Sequence, residues 1–475
     1  MSASTDCAVL ILAAGKGTRM RSKLPKVLHP IAQKPMLAHV LTAAKALNPT
    51  RLAVVVGHEA EQIKEAFADE EITWVEQSPQ LGTGHAVQCA MPAFEGLKGH
   101  RLLILNGDVP LIRQETLEAF LHQHISSSYG VTVLSCSQQP PTGYGRIVRN
   151  KFNGLEQIVE EKDADAEIRK IEEINSGTYC VDLDRLPGWL NRLTNENAQQ
   201  EYYLTDIIAF ANADKGQEQM GSGAHCHHDS HELSGVNNRA QLAELNRRYR
   251  DRIVHDHMVA GVTFEDPSSC WVAADATIGQ DSHIAPHVVI GPGVTLGEDC
   301  QVGSFCELKE STIGAGVTIA PFSHLEKAEV ADGCTIGPYA RLRPAAKLHA
   351  KAKVGNFCEV KKATIGEGSK VNHLSYIGDA VIGAGANIGA GTITCNYDGV
   401  NKHLTEIGDG VFIGSDTQLV APVKIGAGAF VAAGSTVTQE VPADALAISR
   451  VKQSNILNWA GKQWKKLRAM KKARS

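Results

Sequence analysis

The sequence predicts two folds in series, an α/β sheet domain followed by a parallel β-helix, with a helix between them. In the first half of the chain, short apolar runs alternate with amphipathic stretches, which is typical of a mainly parallel sheet covered on both faces. From residue 272 to residue 437, a short aliphatic residue recurs about every sixth position and is usually followed by Gly. A period of six suits neither a strand nor a helix, so it indicates a coil repeated in space.

The hexapeptide period predicts a triangular coil with three six-residue sides. Its aliphatic residues would point inward and stack coil upon coil at about 4.8 Å, and the following Gly suits a corner that needs positive φ or close backbone approach. The register slips by one residue several times and is interrupted once, between residues 391 and 407, where we expect a functional loop. An ordinary β-sandwich would need this spacing to be accidental. The first seven aliphatic positions, in unbroken register, are Val272, Ile278, Ile284, Ile290, Leu296, Val302 and Leu308.

Before the repeat, the pattern predicts the order of strands and helices. Ligands in such folds bind at the carboxyl ends of strands, so the loops after residues 12, 75 and 105 are the candidates. A hairpin is expected at Asn153-Gly154, and a connector helix with Leu242, Leu245, Tyr249 and Ile253 on one face is expected over residues 239–259. The other predicted strands are 9–12, 52–56, 72–75 and 102–105, and the other predicted helices are 36–47, 59–67, 85–91 and 201–210.

Length and composition restrict the classes of protein. A chain of 475 residues should hold two or more domains, and a net charge of −5 gives no nucleic-acid footprint. Eleven cysteines, an odd number without a C-x-x-C pair, indicate reduced thiols in a cytoplasmic protein. The only early apolar run, residues 8–14, is too short for a membrane span, so we expect none.

The loop after the first strand reads LAAGKGTRM over residues 12–20 and is followed by LPK at residues 24–26. Its small residues let backbone N–H groups approach phosphate oxygens, and Arg19 and Lys26 supply positive charge. A dinucleotide site would need a third Gly, and a Walker loop would need Gly-Lys-Ser/Thr, so both are excluded. A glycine-rich surface turn is the plain alternative. The signature resembles that of the sugar-1-phosphate nucleotidylyltransferases.

Two later stretches support a nucleotide site. Residues 77–84, QSPQLGTG, offer an amide and a close-approach backbone for a base edge, and Asn106-Gly107-Asp108 ends the fourth predicted strand. Asp108 could hold Mg²⁺ through substrate phosphates, or could be a turn or cap residue. Asn237 could supply a second oxygen, although Asn before a helix is more often its cap.

Within the repeats, five polar residues are unlike structural filler: Arg343, Lys361, His373, Tyr376 and Asn387. Acyl transfer to an amine needs a base, and neutral imidazole suits that task near pH 7. Most histidines are structural or solvated, but His373 replaces the usual Gly at a corner. Glu359 could orient it, or could be a solvated carboxylate.

From residue 9 to about residue 459, the chain resembles the bifunctional enzymes that join an N-acetylglucosamine-1-phosphate uridylyltransferase to a glucosamine-1-phosphate N-acetyltransferase. The resemblance implies a Rossmann-like nucleotidyltransferase sheet, a left-handed β-helix and a homotrimer. It implies acetylation of glucosamine-1-phosphate by acetyl-CoA, then Mg²⁺-dependent uridylyl transfer from UTP to GlcNAc-1-phosphate, feeding peptidoglycan and lipopolysaccharide precursors. The domains would be a uridylyltransferase over 1–238, a linker over 239–260, an acetyltransferase over 261–461 and a basic tail over 462–475.

The resemblance also implies roles for single residues. His373 would be the acetyltransferase base, Arg19 and Lys26 would act in uridylyl transfer, and Asp108 and Asn237 would bind Mg²⁺. The nucleotide residues would be Leu12, Ala13, Ala14, Gly15, Lys26, Gln77, Gly82, Thr83, Asn106, Gly107 and Asp108, with Gly145, Glu160, Asn175 and Asn237 completing the UDP-GlcNAc site. Glucosamine-1-phosphate would meet Arg343, Lys361, Tyr376 and Asn387, and acetyl-CoA would meet Ala390, Asn396, Tyr397, Ser415, Ala433 and Arg450. Asn106 departs from the Tyr expected at that position.

Two other functions stay open at this stage. The β-helix could be a non-catalytic oligomerisation module, or the whole chain could be a nucleotide-sensing assembly factor, although Arg19, Lys26 and Asp108 are all present. The basic tail suggests a membrane surface or nucleic acid, but we favour a solvated tail that attracts CoA or a neighbouring prism, with Trp459 as a packing anchor. The histidine-rich stretch 225–231 is expected to be an exposed loop rather than a metal site.

Overall fold

The computed structural model describes residues 6–57, 59–214 and 220–473. The chain divides into two compact units, Met1–Ile253 and Val254–Ser475. The division falls within the predicted connector, which is a continuous helix over Arg239–Val259. On this helix Leu245 is buried, and Leu242, Tyr249 and Ile253 are half-buried.

The first unit is built on a nine-stranded sheet in which β1, β4, β5 and β6 are parallel and β10 is antiparallel to both neighbours. Its order is β11-β7-β10-β6-β1-β4-β5, with the predicted hairpin β8–β9 beside β10 and a separate small hairpin β2–β3. The strands are β1 Cys7–Leu12, β2 Pro30–Ile31, β3 Lys34–Pro35, β4 Arg51–Val56, β5 Thr73–Glu76, β6 Arg101–Asn106, β7 Tyr129–Ser137, β8 Arg146–Arg149, β9 Leu155–Val159, β10 Glu173–Asp182 and β11 Met220–His227.

Both faces of this sheet are covered, as the alternating pattern predicted. Val9 and Ile11 belong to one hydrophobic core and Ala8 and Leu10 to another, because successive strand residues point to opposite faces. The α-helices of this unit are α1 Met36–Ala46, α2 Ala60–Ala66, α3 Thr83–Ala90, α4 Gln114–Ser127, α5 Leu186–Leu190 and α6 Ile207–Ala213, and the helix Arg239–Val259 is α7.

Two predictions for the first unit are wrong in part. The helix expected from residue 201 begins only at residue 204, with a 3₁₀ turn Leu204–Asp206 before α6, because Tyr202 is held extended. Its N–H donates to Leu81 O and its carbonyl accepts from Gly84 N, both at 2.8 Å. The histidine-rich stretch is not all loop, since its first three residues end the edge strand β11.

The second unit is a parallel β-helix with three faces. One face has eleven strands, and the other two faces form a continuous set of seventeen. The first face comprises Thr263–Phe264, His283–Ile284, Gln301–Val302, Thr318–Ile319, Thr335–Ile336, Lys353–Asn356, Lys370–His373, Asn387–Ile388, Phe412–Ile413, Phe430–Val431 and Leu446–Ala447. The other two comprise Trp271–Val272, Thr277–Ile278, Val289–Ile290, Thr295–Leu296, Glu307–Lys309, Thr312–Ile313, His324–Glu326, Glu329–Val330, Arg341–Leu342, Ala346–Leu348, Glu359–Ile365, Tyr376–Ile382, Ile393–Cys395, Thr405–Ile407, Gln418–Val420, Val423–Ile425 and Thr436–Val437.

The coil spacing explains the slips seen in the sequence. Hydrogen-bonded positions one coil apart are 18 residues apart at Ser282 and Cys300 but 17 apart at Ser311 and Ala328. The repeated aliphatic residues are buried, and close approach explains the Gly that follows them. At Gly297, whose φ is not positive, an added Cβ would lie 2.6 Å from the next coil's backbone carbon.

The interruption of the repeat is narrower than predicted. Ile393 still pairs with Tyr376 and Gln418 on neighbouring coils, and Thr405 pairs with Ala380, so the inserted loop covers residues 396–404. Within the loop, His403 Nε2 lies 2.7 Å from Asp398 Oδ2. This loop leaves the coil on either side in register.

The helix near the carboxyl end, α8, spans Trp459–Lys472 and has no buried residue. Trp459, the expected packing anchor of the tail, is 56% exposed in the single chain. Over the ranges that the structure describes, no helix combines the length and apolarity needed to cross a membrane.

Candidate active sites

A cavity of about 460 Å³ opens at the carboxyl ends of β1, β5 and β6, where the sheet topology predicted a ligand site. The glycine-rich loop forms one wall and the start of α3 another. The sequence-predicted residues that line it are Leu12, Ala13, Ala14, Gly15, Lys26, Gln77, Gly82, Thr83, Asn106 and Asp108. The structure thus brings together residues that come from three strand ends.

A second cavity of about 200 Å³ adjoins the first and shares Leu12, Thr83, Asn106 and Asp108 with it. It contains the remaining predicted residues Gly145, Glu160, Asn175 and Asn237. Gly107 lies beneath the shared wall, and its N–H donates to Leu12 O at 2.9 Å. Two joined compartments suit a reaction between two substrates.

The loops around the larger cavity are fixed by hydrogen bonds between strand ends. Gln77 is buried, and its side-chain amide donates to Gly82 O at 2.8 Å. Sequence reasoning missed Gln80, which lines the cavity and whose amide donates to Ala14 O. Its place after β5, in the stretch already suspected, was the available signal.

Charged groups converge between the two compartments. Lys26 Nζ forms an ion pair with Asp108 and donates to Asn237 Oδ1 at 3.0 Å, and Arg19 Nη2 donates to the same oxygen at 2.9 Å. Asn237 is not the cap of α7, because Asn238 accepts the Gln241 N–H at 2.9 Å instead. The Asn237 oxygen therefore faces the site.

The smaller compartment contains a perturbed carboxyl group. Burial raises the pKa of Glu160 to about 7, and the neighbouring Asp163, Asp206 and Glu201 add to the rise. A break in the β7–β10 register follows Asn175, whose Oδ1 accepts from Gly177 N and whose Nδ2 donates to Tyr179 Oη, both at 2.8 Å.

Asn106 stands at the end of β6 between the compartments. Its Nδ2 donates to Ser176 O at 3.2 Å and packs so closely on Gly177 that a side chain there would collide with it. The departure from Tyr is thus accommodated by packing against β10.

In the β-helix, His373 is exposed at the corner that ends the strand Lys370–His373. Its Nδ1 lies 2.6 Å from Oδ1 of Asn356, the paired residue one coil before. Glu359, the expected partner of His373, instead accepts from Arg343 Nη1 at 2.8 Å. Asn356 was missed because its pairing with His373 depends on a 17-residue coil.

Cationic groups gather on the face that follows this corner. Arg343 lowers the pKa of Lys361, and Lys402 of the inserted loop lowers it further. The Tyr376 hydroxyl lies over Gly378, which pairs with Lys361, whereas Asn387 pairs with Lys370 at the start of the strand that His373 ends. Sequence reasoning missed Lys402, which only the folding of the loop brings near.

Three of the residues expected to meet acetyl-CoA, Ala390, Ser415 and Ala433, lie on successive coils at the same corner as His373. His373 O accepts from Gly391 N at 3.2 Å, Ala390 O accepts from Asp416 N at 2.7 Å, and Ser415 O accepts from Gly434 N at 2.8 Å. Ala433 immediately precedes the last of these donors, and Arg450 approaches Gly434.

The other two expected acetyl-CoA residues lie in the inserted loop. Asn396 is buried, and its Nδ2 donates to Asp379 Oδ2 at 2.6 Å. Tyr397 is exposed, and its hydroxyl donates to Gly399 O at 2.6 Å.

The same corner carries an aromatic ladder that sequence reasoning missed. Neighbouring rings have centroids 4.8 to 5.1 Å apart, and the phenyl and phenol members are 46 to 55% exposed. The ladder consists of His287, Phe305, Phe322, Tyr339 and Phe357. It leads directly to the Asn356–His373 pair.

One histidine of the histidine-rich stretch is paired with a nearby carboxylate. His227 Nε2 lies 3.1 Å from Glu232 Oε2, and among residues whose placement is described no cluster of three or more His, Cys, Asp or Glu could hold an ion. The eleven cysteines are free thiols.

Family models match both units of the chain. A MobA-like NTP transferase domain matches residues 9–174, a GMPPB C-terminal domain matches residues 272–348, and a bacterial transferase hexapeptide model (six repeats) matches residues 404–439. The first match includes the glycine-rich loop and the loops after β5 and β6, and the other two lie before and after His373 without reaching it.

Whole-length relatives carry the name Bifunctional protein GlmU. The relative from Acinetobacter baylyi is 50% identical over 453 residues, covering 95% of this chain and 97% of its own. Those from Alkalilimnicola ehrlichii and Trichlorobacter lovleyi are 49% and 47% identical, covering 95% and 96% of this chain and 96% and 98% of their own. The chain therefore belongs to the GlmU family, bifunctional enzymes of UDP-GlcNAc synthesis that combine a nucleotidyltransferase with a left-handed β-helix acetyltransferase.

Proposed function

We propose that the two cavities of the first unit and the His373 corner of the second perform the two reactions with the residues named above. The acetyltransferase, residues 261–461, converts glucosamine-1-phosphate to GlcNAc-1-phosphate, and the uridylyltransferase, residues 1–238, then forms UDP-GlcNAc. Residues 239–260 link them, and the tail 462–475 adds positive charge. The observation that carries the uridylyl assignment is the convergence of Lys26, Arg19, Asp108 and Asn237 between the two compartments.

In uridylyl transfer, UTP occupies the larger compartment and GlcNAc-1-phosphate the smaller. A phosphate oxygen of the sugar attacks the α-phosphorus of UTP as the bond to pyrophosphate breaks, so positioning and charge neutralisation do most of the work. Lys26 and Arg19 neutralise the phosphates, and Glu160, Asn175 and Gly145 hold the sugar.

The donor set of this site also fits Mg²⁺. The Asp108 carboxylate and the Asn237 amide oxygen already meet on one cation, the Lys26 ammonium group. Hard oxygen donors suit Mg²⁺, which commonly takes one or two from protein and the rest from phosphates and water. Asp108 and Asn237 would hold the ion, and it would neutralise phosphate charge when bound.

In acetyl transfer, the amine of glucosamine-1-phosphate attacks the thioester carbonyl of acetyl-CoA. His373 Nε2 takes the amine proton as the C–N bond forms, and CoA leaves as a thiolate that is then protonated. Arg343 and Lys361 bind the phosphate, with Lys402 as a third cation, while Tyr376 and Asn387 contact the sugar. Acetyl-CoA lies along the corner by Ala390, Ser415 and Ala433, with Asn396, Tyr397 and Arg450 beside it.

A homotrimer explains the exposure of this site. His373 and the aromatic ladder lie on the outside of a single β-helix, where exposed aromatic rings are costly. A second copy packed on this corner would bury the ladder and provide the missing wall of the acetyl-CoA site. The eleven free thiols agree with a cytoplasmic protein.

The test is a pair of assays on the wild type, His373→Ala and Asp108→Asn, measuring CoA thiol release and UDP-GlcNAc formation. We expect His373→Ala to lose thiol release by about 10²- to 10⁴-fold and to keep uridylyl transfer. Asp108→Asn should show the reverse pattern, and His349→Ala, an exposed β-helix histidine, is the control. A wild type that released no thiol would make the β-helix a scaffold and contradict the proposal.

A further inference from the structure

The Asn356 side chain contacts the His373 imidazole across neighbouring coils of the β-helix. The two residues end neighbouring parallel strands in register, and Asn356 Oδ1 lies 2.6 Å from His373 Nδ1. An amide oxygen can only accept, so the ring proton of neutral His373 is on Nδ1 and the lone pair is on Nε2. This is the protonation state that a base acting through Nε2 needs.

We propose that Asn356 is a positioning residue for acetyl transfer that holds His373 as the Nδ1–H tautomer with Nε2 directed to the acceptor amine. The inference rests on the proposed role of His373 as the base. It also assigns Glu359 a different task, because that carboxylate is paired with Arg343 at 2.8 Å and orients the phosphate-binding guanidinium.

The neutral amide is a better partner here than a carboxylate. A carboxylate beside Nδ1 would stabilise the imidazolium form and hold the base protonated, whereas an amide orients the ring without adding charge. The charged residues on or beside the strands flanking this corner are Lys353, Lys370, Arg341, Arg343, Glu359, Lys361, Lys362 and Asp379, with Lys402 in the inserted loop.

The experiment compares Asn356→Ala and Asn356→Asp with the wild type, measuring kcat and KM for thiol release across pH. Asn356→Ala should lower kcat about ten- to hundredfold because the ring loses its tautomer and direction, with KM for glucosamine-1-phosphate little changed. Asn356→Asp keeps the acceptor but adds a charge. It should recover much of the rate at high pH and move the acid limb of the profile upward by about one pH unit.

Controls separate this role from a structural one. Gln301→Ala removes an exposed amide from the same face on an earlier coil and should change neither kcat nor the pH profile. Uridylyl transfer and the unfolding temperature of both Asn356 variants should match the wild type.

Three results would overturn the inference. An Asn356→Ala variant with wild-type kcat beside an inactive His373→Ala would overturn the positioning role alone. Equal losses in Asn356→Ala and Asn356→Asp without a shift in the pH profile would reduce Asn356 to a packing residue. An active His373→Ala would overturn the proposed base and, with it, this inference.

Discussion

The two candidate sites of this chain differ in how much of the site a single chain provides. In the first unit, loops from three strand ends surround a hollow of about 460 Å³, a second hollow of about 200 Å³ adjoins it, and charged groups line both. In the second unit, His373 is exposed on the corner of a prism. A doubly covered sheet creates a crevice where its connections part, whereas a β-helix offers flat faces and corners and must take another wall from elsewhere.

The two sites also differ in how their cations are compensated. Lys26 is already paired with Asp108 and hydrogen-bonded to Asn237, so one carboxylate already offsets part of the positive charge of Lys26 and Arg19. At the corner, Arg343 is paired with Glu359, but Arg343 and Lys402 still lower the pKa of Lys361. An excess of positive charge suits a phosphate that arrives without its own cation, and paired charges suit a phosphate that arrives with one.

A large loss confined to the first unit should come from Lys26→Ala. The variant leaves Asp108 without its ion pair and removes the ammonium group that would meet the phosphates, so pyrophosphate release should fall about 10²- to 10³-fold. Thiol release should be unchanged because Lys26 belongs to the other unit. Lys23→Ala, an exposed lysine in the same loop, should leave both rates as in the wild type. Parallel loss of both activities would contradict the independence of the sites.

Phe322→Lys, in the middle of the aromatic ladder, should have a smaller effect, and it should lower acetyl transfer rather than uridylyl transfer. If a second copy covers this corner, a buried ammonium group would disfavour association, and thiol release should fall by about tenfold or more as trimers become monomers. Uridylyl transfer should persist, since its cavities lie within one chain. Sedimentation measures the mass, and Phe152→Lys, on the 81% exposed ring of the β8–β9 hairpin, is the control. A Phe322→Lys trimer of full acetyl activity would show that the ladder is not the interface.

Local sequence patterns predicted the architecture of both units because the period of the apolar residues follows directly from the geometry of the structure that buries them. Alternation of strands and helices predicted the sheet, and the period of six predicted the three-faced coil. The strand-end rule then predicted the position of the larger cavity, since β1, β5 and β6 deliver their loops to one edge whatever the loop details. His373 was identifiable because it stands where the repeat usually has Gly.

The partners of these residues could not be predicted, because they depend on register and loop folding. Asn356 lies beside His373 because the coil between them has 17 residues. A coil of 18 residues would instead place the residue next to Asn356 beside His373. Lys402 reaches Lys361 through an inserted loop whose path the repeat does not determine. Asn237 could have been either a metal ligand or a helix cap by sequence, and only the structure gives the cap of α7 to Asn238.

The smallest effect should come from Glu160→Gln, which tests whether the enclosed compartment perturbs its own carboxyl group. Burial raises the pKa of Glu160 in the folded chain to about 7 from an ordinary value of 4.5, so the folded state binds its proton more tightly. The stability this provides is complete below about pH 4.5 and is lost as pH rises to about 7. The unfolding temperature of the variant, which cannot ionise there, should therefore exceed that of the wild type increasingly across this range.

The ionisation of Glu160 should also change the pH dependence of kcat/KM for GlcNAc-1-phosphate. Below about pH 6 the protonated Glu160 resembles Gln, and the kcat/KM values for GlcNAc-1-phosphate should be similar, whereas above about pH 8 the ionised wild type should be better by a few fold. Glu156→Gln, on the exposed face of β9, should show neither trend. A difference between Glu160→Gln and the wild type that did not vary with pH would mean that Glu160 is already ionised in the folded chain. The enclosed site would then be as open to water as the exposed corner, and the contrast between the two sites would be one of shape alone.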